Sequence, residues 1–112
     1  MAIPKFILYG PDNNIRLSFN VEFHLELIPI GGSRNEVKGG GRISVRDEDK
    51  KILFYGLSTD FGPCDKDDLI KAIKEAFMPV AWEGYKVFYS EPTIIDVSKA
   101  WEEAEEIHEI IF

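Results

Sequence analysis

The chain has 112 residues, 45% of them hydrophobic and 29% charged, with a formal net charge of −7. That is one domain's length and a globular composition, which excludes a second core and a disordered chain. The acidic balance argues against broad nucleic-acid binding and against adhesion to anionic membranes, since both need a basic face.

Cys64 is the single cysteine, so no intrachain disulfide can form and a reducing, cytoplasmic setting is expected. The residues Met1-Ala2-Ile3-Pro4-Lys5 show no charged stretch leading into an apolar one, so no signal peptide is expected. The apolar runs fall well short of the roughly 18 residues that span a bilayer.

Ile3 to Tyr9 reads as a buried strand, followed by the turn cluster Gly10-Pro11-Asp12-Asn13-Asn14. From Ile15 the pattern alternates. Leu17, Phe19, Val21, Phe23, Leu25 and Leu27 share one side, and Arg16, Ser18, Asn20, Glu22, His24 and Glu26 the other. A period of two predicts a strand with His24 on its wet face, ended by Pro29 and Gly31-Gly32. Gly39-Gly40-Gly41 leads into a strand over 42–46. The polar turn Asp47-Glu48-Asp49-Lys50 and a second strand over 51–57 complete a hairpin.

After the loop Ser58-Thr59-Asp60-Phe61-Gly62-Pro63, Asp65 is a candidate N-cap. The helix it opens carries the stripe Leu69, Ile70, Ile73, Ala76 and Phe77 and stops at Pro79. Tyr85 to Tyr89 is a further strand, and Glu91-Pro92 breaks the chain. Asp96 or Ser98 caps a last helix, placed over 96–111, with the stripe Val97, Ala100, Trp101, Ala104, Ile107 and Ile111. The expected fold is α+β: one domain over 1–112, with a mixed sheet of about five or six strands and two helices.

His24, His108 and Cys64 are the soft ligands available, and none are paired at metal-ligand spacing, so no metal and no cofactor are expected. Cys64 has no local base and reads as an inert thiol. The glycine run permits either a bulge into the next strand or close approach of backbone to a ligand. In the Ser58–Pro63 loop, successive amides before a helix can form a nest for an anion. The plainer reading is an ordinary strand-to-helix connection.

Taken together, Gly39-Gly40-Gly41-Arg42-Ile43-Ser44, Asp49-Lys50-Lys51-Ile52 and Tyr55-Gly56-Leu57-Ser58 with Phe61-Gly62-Pro63 resemble the core of the Janus/Ocnus family, that of the small protein-histidine phosphatases. The helix through Phe77 and the strand Tyr85-Lys86-Val87-Phe88-Tyr89 follow in the family's order. The resemblance implies a phosphohistidine phosphatase-like fold and a metal-independent hydrolase acting on phosphohistidine or a related phosphoramidate. His24, in Glu22-Phe23-His24, matches the catalytic histidine behind an acidic–aromatic pair. Lys5 matches a lysine at the start of the first strand, and Arg42 an arginine near the site. Ser58, Thr59, Asp60, Phe61 and Gly62 correspond to the phosphate-binding loop, where main-chain amides hold the phosphate and the Ser58 hydroxyl assists.

Two departures stand out. Leu25 to Gly32 is shorter than the family's segment and alternates like a strand where the family has a helix, and Asp60 replaces a small residue. Three readings follow. One is an enzyme acting on a phosphorylated protein or a small phosphoramidate. The second is a non-catalytic module that keeps the fold and binds an anion or a protein. The third is a purely structural protein, or one that forms a homodimer, using its last helix.

Overall fold

The computed structural model describes residues 3–76, 78–110 and 112. Six strands form one sheet: β1 (Lys5–Tyr9), β2 (Asn14–Ser18), β3 (Val37–Arg46), β4 (Lys51–Tyr55), β5 (Lys86–Tyr89) and β6 (Glu105–Glu106). Their order is β2-β1-β3-β4-β5-β6. Every pairing is antiparallel except β4 with β5, where the crossover carries α1 (Lys66–Glu75). The second helix, α2 (Val97–Glu102), is a short one between β5 and β6. The fold is α+β, as expected. Among the described residues no helix is long and apolar enough to cross a membrane.

Alternation along the strands sorts side chains onto two faces. Phe6, Leu8, Ile43, Ile52, Phe54 and Val87 point toward Leu69, Ala72 and Ile73 of α1. Leu53 and Tyr55 point the other way, toward Ala100, Trp101 and Phe88. Central β4 is apolar on both faces, so it reads as a continuous apolar run. The α1 start is the expected one, with the Asp65 carboxylate accepting from the Asp68 amide at 3.1 Å. The helix ends at Glu75. Phe77 of the expected stripe lies outside the described residues, as does Ile111 of the last stripe.

Two expectations are corrected. The long strand from Ile15 to Leu27 ends at Ser18, and His24–Leu27 forms a 3-10 helix. The Glu26 carboxylate accepts from the amides of Glu22 and Phe23, both at 2.8 Å, which closes a turn that strict alternation would leave open. A period of three replaces the period of two, so His24 and Leu27 share the buried side while Phe23 and Leu25 are exposed.

The last helix is also shorter than expected, stopping at Glu102 and giving way to β6. A continuous helix would have set Glu102 over Glu106 and Glu105 over Glu109, like charges one turn apart near a helix C-terminus. Breaking it lets the chain cross the sheet edge. Ala100 packs on one face, and Ile107 and Ile110 enter the core on the other.

The glycine run lies inside β3. The register with β1 moves from Ile7↔Gly40 to Tyr9↔Val37, so Lys38 and Gly39 oppose Leu8 alone, which is a bulge. Gly39 takes φ +118°, and a Cβ there would lie 2.3 Å from the Pro63 carbonyl oxygen. The missing side chain is what lets the loop after β4 lie on the strand.

Candidate functional site

The sheet face opposite α1 carries the site. The 3-10 helix packs on β1 and β2 there, and α2 packs on β4. Lys5 of β1 and Arg42 of β3 are direct cross-strand partners, so their side chains leave the same face side by side. Two cations in that position repel. The ion pairs among the described residues are Lys66–Glu105 and His108–Glu106, and neither neutralises them. Lys5 Nζ donates to the carbonyls of Ile3 at 3.1 Å and Val21 at 3.4 Å. Arg42 Nε is buried, and among the described residues it has no hydrogen-bond partner. The Arg42 stem lies against Gly56, which holds φ +68°, and Tyr55 is its partner on β4. Burial pushes the Tyr55 phenol up, and Arg42 opposes that shift.

His24 is 4% exposed, not on a wet face. Its Nε2 lies 2.7 Å from the Gly41 carbonyl oxygen. A carbonyl only accepts, so Nε2 carries the hydrogen and Nδ1 of the neutral ring keeps a lone pair. Burial holds the His24 pKa below its usual value, and Lys5 and Arg42 push the same way; the Gly41 bond and Asp60 oppose them. The imidazole is therefore neutral at physiological pH. Its seat depends on Gly40, where a Cβ would lie 2.6 Å from the Phe6 carbonyl oxygen and 3.1 Å from His24 Cδ2.

The Ser58–Gly62 loop is tied to the same glycines. Gly40 N donates to Gly62 O at 3.0 Å and Ser58 N to Gly40 O at 3.1 Å. The loop thus lies along β3 beside His24, but four of its five amides are engaged within the chain. Ser58 N also approaches Gly62 O at 3.3 Å, and Gly62 N donates to Ser58 O at 2.8 Å. Asp60 N and Phe61 N donate to Ser58 Oγ at 3.2 and 3.1 Å. Ser58 is fully buried. Ser58 Oγ thus organises the turn as an acceptor, as the Oγ of a serine turn does. Thr59 N is the amide of this loop without a partner among the described residues. Asp60 is exposed, and Phe61 stacks under the Arg34 guanidinium at 5.3 Å.

Of the eight residues read from the sequence, the fold brings Lys5, His24 and Arg42 into one electrostatic cluster and sets Ser58–Gly62 beside it. Gly40, Gly41 and Tyr55 belong with them as supports. The glycine run pointed to the first two; the position of Tyr55 opposite Arg42 depends on register, which the chain order alone leaves open. Cys64 is buried, with its thiol pushed up to about 12 chiefly by that burial, so it carries no thiolate at neutral pH.

A search of curated proteins found no match to the chain. Residues 17–81 match the Janus/Ocnus family (Ocnus). That span includes His24, Arg42 and the Ser58–Gly62 loop, and it leaves Lys5 outside. It covers more than half of the chain, which therefore belongs to the Janus/Ocnus family.

Proposed function

We propose that this chain is a metal-independent phosphatase that hydrolyses phosphohistidine or a related phosphoramidate on protein. The observation that carries the reading is the Lys5–Arg42 pair. Two cations stand directly opposite each other beside a buried neutral imidazole, and among the described residues Arg42 Nε lacks a partner, in a chain with twenty acidic side chains and thirteen Lys and Arg. An arrangement that costs stability in the free protein is accounted for by an anion that removes the cost. A phosphoryl group fits in charge, and a planar guanidinium suits its oxygens.

Lys5 and Arg42 neutralise the phosphoryl oxygens in the transition state. His24 offers Nδ1, with Nε2 held by Gly41. As a nucleophile, Nδ1 forms a bond to phosphorus while the substrate P–N bond breaks. The departing nitrogen takes a proton from solvent, and water then hydrolyses the enzyme phosphohistidine. As a base, Nδ1 takes a proton from water, the resulting hydroxide displaces the same nitrogen, and His24 returns the proton to it. The Thr59 amide is one further donor at the rim. A reducing cytoplasmic location accords with the single buried thiol.

The engaged loop amides and the exposed Asp60 carboxylate favour the second reading, a non-catalytic module that binds an anion or a protein with the same cations. Phosphate release from a phosphohistidine-bearing peptide separates the two. The enzyme reading expects release by the wild type and a loss of about 10²-fold or more in His24→Ala. Release that persists in His24→Ala removes His24 from the chemistry. No release by the wild type, with phosphate-dependent slowing of amide exchange in residues 58–62, supports the module.

A further inference from the structure

A second pair of unneutralised cations sits on the same face, farther along the same strand. Arg42, Ser44 and Arg46 alternate down β3 and share the side opposite α1. Arg46 is the cross-strand partner of Lys51, as Arg42 is of Lys5. Among the described residues no carboxylate forms an ion pair with either Arg46 or Lys51, although Asp47, Glu48 and Asp49 make the adjoining turn. The Asp47 carboxylate accepts instead from the Tyr85 hydroxyl, at 2.8 Å.

Between the two pairs lies half-buried Ser44. The His24–Leu27 helix covers β1 and β2, α2 covers β4, and β3 forms the floor between them. Trp101 makes the α2 wall. Its indole N–H donates to Ser44 Oγ at 3.0 Å, and the Arg46 guanidinium carbon lies 4.2 Å from its ring centre. A guanidinium held over an indole still has its N–H groups to offer an acceptor. Lys51 lies likewise over Phe88, at 5.5 Å.

We infer that the Arg46–Lys51 pair is a second anion subsite that selects an acidic polypeptide around the phosphorylated residue. Four residues of extended chain span about 13 Å, which is also the distance from Arg42 to Arg46 along β3. In an extended segment, side chains four apart point the same way. The occupant is therefore a protein segment carrying a glutamate or aspartate four residues from the phosphoryl group, passing over Trp101 between the Arg42 and Arg46 guanidinium groups. The inference rests on the phosphoryl site proposed above, and it excludes a small phosphoramidate as the preferred substrate.

The test uses extended peptides with one phosphonate side chain and glutamate, alanine or lysine four residues away on either side, with inorganic phosphate as competitor. The wild type is expected to bind a glutamate peptide about five-fold or more tighter than its lysine counterpart at low salt. In Arg46→Gln/Lys51→Gln that ratio falls below about two-fold, while competition by inorganic phosphate is unchanged. Lys51→Gln alone leaves the Arg46–Trp101 stack in place and narrows the ratio in the same direction. Equal binding of glutamate and lysine peptides by the wild type, or a preference that survives the double variant, overturns the subsite. If inorganic phosphate fails to compete at all, the phosphoryl site itself is overturned, and the two failures are told apart by that arm.

Discussion

The two faces of the sheet are built on opposite rules. Toward α1, Phe6, Leu8, Ile43, Ile52, Phe54 and Val87 meet the apolar stripe of the helix, and each contact is complete within the chain. Toward the His24–Leu27 helix and α2, the strands present Lys5, Arg42, Arg46 and Lys51 with a patch of apolar packing around Leu53, Tyr55 and Ala100. The first face accounts for folding; the second carries cations that form no ion pair among the described residues. An overall charge of −7 conceals this, because net charge averages over a surface on which cations are segregated.

The contrast is sharpest where one side chain is removed from each face. Phe54 is buried and meets Phe6 edge-on at 5.4 Å, so Phe54→Ala is expected to lose about 3–5 kcal/mol, read from urea unfolding. A loss under about 1 kcal/mol would show that the α1 face is not the principal core. On the site face, the pH dependence of His24 gives a smaller effect. Its folded pKa lies below its unfolded one, so between the two values the unfolded chain binds more protons. The stabilisation is complete above about pH 6.5, declines as the pH falls below that, and is lost through the folded pKa. His24→Asn removes the titrating group, so unfolding midpoints compared at pH 7.5 and 5.5 should fall less in the variant than in the wild type. An equal fall in both would show that His24 is not held neutral by burial.

Much of the first face was legible from the chain alone. Short-range signals place β1, β4, the Asp65 cap and β5 within a residue or two, because alternation and turn residues act locally, while β3 begins five residues before the expected Arg42 because the glycine run is itself part of the strand. The second face was legible only in its residue types. Alternation from Leu17 to Leu27 is genuine in the sequence, yet the Glu26 carboxylate turns the chain and buries His24 on a period of three. The C-terminal stripe is likewise genuine, but Ala100, Trp101 and Ala104 pack on one face and Ile107 on the other, which no helical period can report. Lys5 and Arg42 become neighbours through strand register, a long-range choice. The bonding of the Ser58 loop depends on which acceptor each amide finds, and there Ser58 Oγ competes with any ligand.

The central claim is that the Lys5–Arg42 pair exists to hold a phosphoryl group, and unfolding in phosphate against chloride at matched ionic strength tests it most directly. Wild-type stability should rise, by about 1.4 kcal/mol when phosphate is ten-fold above its dissociation constant. Arg42→Met should lose that rise while becoming more stable in chloride by about 0.5–1 kcal/mol, since a cross-strand repulsion and an unpartnered buried nitrogen both disappear. No rise in the wild type, or the same rise in Arg42→Met, would contradict the account.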